Sequence, residues 1–393
     1  MSNSAEVLFK LLCIALGKEE DFSLPLSVDW KEVIDLSFEQ GVAAIAVDGL
    51  QRIYDSLEIR DYSLESQEPS AKSQEDGVSP QNSLSSKLSA LSSLDSPELE
   101  DLKYEWFGEV MNVEQYNARQ REVVMEMAAK WQEGGVEMMW MKGQAVGTYY
   151  PESSHRVTGD VDVYMLGEDG YEKGNRIAAE AGAAVDTHWY KHSQIHWKGE
   201  MFENHQYFVH TRDGKRGKRL DRTLRELLEG QQMERFPGSG VLLPPVMFNA
   251  LFLTYHGLAH FVSEGIRLKQ IMDWAMFLRR EQSRIDWPRF YALCDEFHFR
   301  RWVDALSDIA VHRLGVAVTV PGVTVDSPYA DRILHSALYD KDFVFSSGKG
   351  GWANRLHLVT NMFKYSWKYH RIYQESVLKQ LWFYATGFIF KTE

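Results

Sequence analysis

Cysteine is nearly absent: Cys13 and Cys294 are the only two in 393 residues. Two thiols so far apart form neither a disulfide framework nor a metal-binding C-x-x-C pair. Long apolar runs are missing too. The longest, residues 381–390, has about half of the ~20 residues a membrane-spanning helix requires, and it contains Gly387. A signal peptide is not expected at the start. Residues 7–16 are apolar, but they follow Glu6, include Lys10 and lack a basic leader, so they read as an amphipathic helix. These absences together favour the cytoplasm. Nor is there an excess of positive charge, since 43 Lys and Arg face 56 Asp and Glu, for a net charge of -13. Broad nucleic-acid binding is not expected of such a chain.

The acidity is local. Residues 1–100 carry 19 acidic and 7 basic residues and so hold nearly all of the net charge. Hydrophobic content is 44%, with 12 Trp, enough for a substantial core. Residues 5–54 read as two or three short helices, with Asp29 placed to cap one of them. Residues 63–96 contain 12 Ser and no aromatic residue, the composition of a disordered linker or insert. Leu84, Leu88 and Leu91 allow at most a transient helix there.

Residues 102–132 predict one long helix stopped by Gly134 and Gly135. Strands follow at 136–141 and 161–166, a short helix at 144–150, a helix at 171–181, and two or three strands within 183–210. A turn is expected at 213–217 and a helix at 223–229, and beyond Pro244 the pattern is mostly helical. Four segments result: helical residues 1–54, a Ser-rich insert at 55–101, a small α/β unit at 102–235, and a helical region at 236–393.

The chemistry concentrates in two stretches: Met141-Lys142-Gly143-Gln144 and His155-Arg156-Val157-Thr158-Gly159-Asp160-Val161-Asp162-Val163-Tyr164. Asp160 and Asp162 are two apart on a strand, so both carboxylates share one face. Side by side they repel unless a cation lies between them. Mg²⁺ suits hard oxygen ligands and is commonly shared with substrate phosphates. D-x-D alone is more often a turn residue beside an exposed strand position. Its neighbours change that balance. Gly159 permits a sharp turn before the strand. Lys142-Gly143 follows one strand and opens a helix, where free N–H groups attract phosphate. Arg156 is near enough in sequence to reach the same place.

This ordered set resembles the nucleotidyltransferase superfamily, and within it the uncharacterised bacterial nucleotidyltransferase family 5. The resemblance rests on the strand with Lys142-Gly143 and then Tyr149-Tyr150-Pro151, on Arg156 before Gly159-Asp160-Val161-Asp162, on Phe202-Glu203-Asn204-His205, and on the segment from His260 to Asp273-Trp274. It covers most of the chain apart from the Ser-rich insert. The resemblance implies an α+β protein: a small mixed-sheet nucleotidyltransferase-like core flanked by N-terminal and C-terminal helical regions. It implies that Asp160 and Asp162 hold Mg²⁺, that Glu203 is the general base, and that His205 shares Glu203's strand face. Lys142, Gly143, Arg156 and Gly159 would meet the nucleotide. The implied reaction moves a nucleoside monophosphate from an NTP, ATP among the candidates, to an unidentified acceptor hydroxyl with release of pyrophosphate. The acceptor could be a saccharide, a small molecule or a protein. Where the wider superfamily places Gly-Ser before its acids, this chain has Lys142-Gly143-Gln144. Asp186 and Glu200 are rival third acids. A non-catalytic nucleotide-binding or regulatory protein on the same fold, a nucleotidylating enzyme acting on a partner protein, and a plain interaction protein are the alternatives.

Other residues admit plainer readings. His188, His192 and His196 read as polar strand faces rather than a zinc site, and the basic run from Arg212 to Arg225 as a solvated helix face. His256 and His260 lie one helical turn apart. They either pack in the interior or line a helix pair closing over a nucleotide. Asp273 is a candidate partner for Arg267 or Lys269. The aromatic residues between Tyr365 and Tyr384 read mainly as core.

Overall fold

The computed structural model describes residues 1–18, 24–25, 27–65, 94–211, 214–340 and 359–382. The Ser-rich stretch with Leu84, Leu88 and Leu91 therefore lies outside the described residues, as do Arg212, Phe383 and Tyr384. Three helices begin the chain: α1 (Asn3–Ala15), α2 (Trp30–Glu39) and α3 (Ala43–Glu65). Ser2 caps α1 by accepting from the Ala5 N–H, and Asp29 caps α2 by accepting from the Glu32 N–H at 3.0 Å. Helix α3 runs into the stretch whose composition suggests the insert, and Leu94 beyond it is fully buried.

Helix α4 (Glu100–Glu133) leads into the sheet. The strands are β1 (Met138–Trp140), β2 (Val161–Met165), β3 (Ala184–Asp186), β4 (His192–Trp197) and β5 (Glu200–His205). Their order is β1-β2-β5-β4-β3, with β2 and β5 parallel and the other neighbours antiparallel. The one-turn helix α5 (Gln144–Gly147) follows β1, and α6 (Gly170–Glu180) follows β2. The fold is thus the expected α+β arrangement, with helical regions on either side of a mixed sheet.

Strand alternation gives the sheet two different faces. Trp140, Val161, Val163, Ile195 and Phe202 pack with Val124, Met127 and Trp131 of α4 and with Ala178 of α6. Gly170 and Gly174 let α6 lie directly on β2. A Cβ on Gly170 would come within 2.3 Å of the Met165 carbonyl oxygen, and one on Gly174 within 2.7 Å of Met165 Cγ. The opposite face, through Met139 and Met141, joins a larger core built from both ends of the chain.

That larger core contains α7 (Lys215–Glu226), α8 (Val246–Ser263), α9 (Leu268–Glu281), α10 (Trp287–Glu296), α11 (Arg300–His312) and α12 (Ala330–Tyr339). Helix α7 starts within the basic run, eight residues before the helix expected at 223–229. Three of its four arginines pair within the chain: Arg216 with Glu375, Arg219 with Glu296 and Arg225 with Asp221. Residues Leu8, Leu12 and Trp30 share the core with Trp274, Phe277, Leu306 and Ile309. The contact is also polar: Gln40 donates to the Ala337 carbonyl at 3.1 Å and accepts from the Leu268 N–H at 2.9 Å. No described helix is long and apolar enough to cross a membrane.

Candidate active site

The site lies between the second sheet face and the pair α8–α9. The parallel register of β2 and β5 sets Asp162 directly opposite Glu203. Directly paired residues project from the same face, so the two carboxylates stand side by side, with Asp160 one pleat earlier. His205 is one pleat beyond Glu203 and faces the same way. Its Nε2 is 3.0 Å from Asp162 Oδ1 and 3.5 Å from Glu203 Oε2. His192 on β4 is opposite His205, with Nε2 3.4 Å from Glu203 Oε1.

The rivals for the third acid fall elsewhere. Glu200 projects from the other face, where Gln120 of α4 donates to it at 3.2 Å. Asp186 stands two strands from Glu203, at the sheet edge, and accepts from the His188 N–H at 2.8 Å.

Lys142 Nζ is 2.7 Å from Asp162 Oδ1 and 3.1 Å from His256 Nε2. His256 Nε2 in turn is 2.8 Å from His260 Nε2, whose ring also bonds Glu264. The two histidines of α8 therefore belong to the site's wall. Burial opposes ionisation of Asp162, but Lys142 and His205 overcome it and hold its carboxyl well below the usual carboxylate range. Asp160 behaves oppositely: burial, then the charges of Glu203 and Asp162, push it up. Burial and the positive charge of Lys142 hold His256 well below the ordinary imidazole value.

Gly143 is required by geometry. Its φ of 63° and ψ of -127° suit only glycine. Gly159 has no positive φ, and a Cβ added to it would meet nothing within 4 Å. Its small size leaves open space beside Asp160 instead of serving a strained turn. Helix α5 is a single turn, too short to give the helix-dipole attraction for phosphate expected at 142–144.

Arg156 lines the same cavity as Asp160 and Asp162, but its charge is already committed. Its guanidinium is buried and clamped by Asp273, with Nε and Nη2 each 2.7 Å from a carboxylate oxygen. Tyr150 donates to the same carboxylate at 2.8 Å. Asp273 therefore pairs with Arg156, not with Arg267 or Lys269, and Arg156 ties the loop before β2 to α9 instead of presenting a free fork. Lys269 of α9 lines the cavity beside Asp160 and is the cation that sequence spacing overlooked. Lys191, before β4, feels the charges of Asp162 and Glu203 and is another that spacing did not reveal.

Buried polar residues of α4 hold the loop in place. Asn117 donates to the carbonyls of Ser154 at 2.6 Å and Arg156 at 3.0 Å, and accepts from the Thr158 hydroxyl. Gln120 donates to the Gly159 carbonyl at 2.8 Å. The cavity enclosed by Lys142, Asp160, Asp162, His256 and Lys269 is about 210 Å³. A larger cleft of about 750 Å³ adjoins it and shares His260, Lys269 and Gln270.

The donor chemistry fits a hard divalent ion at Asp160 and Asp162. Both residues line the cavity, and Asp160 is pushed up by burial first and then by the neighbouring charges of Glu203 and Asp162, a repulsion that a cation would relieve. Carboxylates on adjacent strands, a lysine 2.7 Å from one of them and a cavity beside α8 and α9 come together here. Residues 27–315 match the family described as uncharacterised nucleotidyltransferase, and the chain belongs to that family. No curated protein and no solved structure matches the chain significantly.

Proposed function

We propose that this protein is a Mg²⁺-dependent nucleotidyltransferase that moves a nucleoside monophosphate from an NTP to an acceptor hydroxyl. The observation that carries the proposal is the Asp162–Glu203 rung, with Asp160 on the same face and Lys142 2.7 Å from Asp162. Asp160 and Asp162 would hold the ion, which supplies charge neutralisation on the triphosphate.

The chain's own residues do the rest. Lys142 and Lys269 attract the phosphates, and Gly143 and Gly159 leave room for their approach. Arg156, clamped to Asp273, positions the loop that carries Asp160. Glu203 accepts the proton of the acceptor hydroxyl. The acceptor oxygen bonds the α-phosphorus as the bond to the β-phosphate oxygen breaks, and pyrophosphate leaves. The adjoining cleft past His260 and Lys269 is the acceptor's approach. Glu203's place beside Asp162 supports catalysis over a purely nucleotide-binding role.

The test is calorimetric titration of the protein with ATP, GTP, CTP and UTP, with and without Mg²⁺, beside an Asp160→Asn/Asp162→Asn double variant. Mg²⁺-dependent binding of one or more nucleotides, lost in the double variant, is expected. Failure of all four nucleotides to bind the intact site in Mg²⁺ overturns the proposal.

A further inference from the structure

A second cavity, of about 460 Å³, lies apart from the active site, and the two share no lining residue. Its volume falls in the range of roughly 300–1,000 Å³ usual for small-molecule sites. Much of its lining is apolar, supplied by Pro151, Pro237, Leu243, Pro244, Pro245 and Val246. The remainder includes four arginines and three glutamates: Arg121, Arg235, Arg280 and Arg284, with Glu152, Glu234 and Glu281. An apolar lining with a few polar groups suits a ligand that has an apolar body, and the charges decide the rest.

All three carboxylates are engaged. Glu234 and Glu281 hold Arg284, at 2.8 Å and 2.9 Å, and Glu152 accepts from the Ser154 hydroxyl at 2.6 Å. Arg280 stands 3.6 Å from Glu281, and Arg235 stands 3.6 Å from Glu137. Arg121 is the exception: among the described residues it has no carboxylate partner. It is fixed in place all the same. Its Nε donates to Gln144 Oε1 at 3.0 Å, and its guanidinium carbon lies 5.6 Å from the centre of the Phe236 ring. Gln144 is buried, and its Nε2 donates to the Asn117 carbonyl at 2.7 Å, which sets the orientation of the amide. Nε of Arg121 is therefore spent, while its two Nη groups remain for the two oxygens of one carboxylate. A guanidinium already ordered by a ring and a neutral amide loses little further freedom when an anion arrives.

We infer that this cavity is a second ligand site, which takes a small organic anion: one acidic group paired with Arg121, on an apolar body covered by the proline-rich lining. It goes beyond the transferase proposal and does not need it, because neither Arg121 nor the cavity belongs to the nucleotide site and binding is read directly.

The test titrates the full-length protein with 8-anilinonaphthalene-1-sulfonate, an aromatic anion whose fluorescence reports binding, in wild type, Arg121→Gln and Arg222→Gln. Arg222 is an exposed arginine outside the cavity and controls for unspecific attraction of the dye. Saturable binding with blue-shifted emission is expected in wild type, with affinity falling at least ~10-fold in Arg121→Gln and unchanged in Arg222→Gln. Competition on wild type alone is independent of how a variant folds: benzoate is expected to displace the dye, and benzyl alcohol, which keeps the ring but lacks the charge, is not. Absence of saturable binding in wild type, equal affinity in Arg121→Gln, or displacement by benzyl alcohol as effective as by benzoate overturns the inference.

Discussion

At the scale of single residues, the sharpest contrast is between Glu203, beside Asp162 on the sheet, and Asp273, on the wall of the cavity, two carboxylates doing different work. Glu203 faces the cations and the histidines, whereas Asp273 is consumed by Arg156 and Tyr150. Replacing Glu203 with Gln keeps size and hydrogen-bonding capacity but removes the proton acceptor. NTP binding should persist while transfer falls by about 10²–10⁴-fold, the usual contribution of a general base. Calorimetry for binding and single-turnover assays for transfer, once an acceptor is found, separate the two. Asp273→Ala should behave differently. It strands a buried guanidinium and is expected to cost about 3–5 kcal/mol in urea denaturation. An Asp273→Ala/Arg156→Met double variant should recover much of that loss, because no unpaired charge then remains buried.

At the scale of elements, the loop before β2 is the joint of the site, and His155 fastens it to two helices. Its Nδ1 is 2.8 Å from Asp48 of α3 and its Nε2 is 3.0 Å from Glu114 of α4. Burial works against the charged ring, but the hydrogen bonds and charges of Asp48 and Glu114 outweigh it and raise His155 to about 9. A folded-state pKa above the unfolded value means that the protonated ring favours folding. This contribution is fully present below ~6.5, the ordinary histidine value, and is lost as pH rises through about 9. Urea midpoints measured from pH 6 to pH 10 should therefore fall across that window in wild type, and His155→Ala should flatten that part of the profile. The elements also show what sequence can reveal. The D-x-D strand, Lys142-Gly143 and Glu203-x-His205 were legible because period 2 is a local property. The pairing of Arg156 with Asp273 was not, since it joins a loop to a helix 117 residues away and nothing local distinguishes it. Asn117 and Gln120 were hidden for a related reason. On a long, mostly polar helix, two buried amides that cap a distant loop look like ordinary surface residues.

At the scale of the whole molecule, the sheet cannot stand alone. Composition suggests a unit at 102–235 and a helical region from 236, yet one hydrophobic core crosses that boundary. Met139, Met141, Phe208, Leu220 and Leu224 are buried in the same cluster as Phe248, Phe252, Met272 and Trp274. The N-terminal helices belong to it as well, through Leu8, Leu12 and Trp30. Removing residues 236–393 would expose a contiguous apolar sheet face, and patches of that kind drive association. The same cut takes away Lys269, His256 and Asp273, so Asp162 loses one wall of its cavity and Arg156 its partner. A fragment comprising residues 102–235 is thus expected to aggregate or to lack a cooperative transition in thermal unfolding followed by near-ultraviolet circular dichroism. The full chain should unfold in one transition. A cooperative melt of the isolated fragment would show that the core is divisible there, and that the helical region was added to an already stable sheet. The shared core argues otherwise: the surface that closes the active site is the one that stabilises the sheet, so loss of the helical region should remove fold and function together.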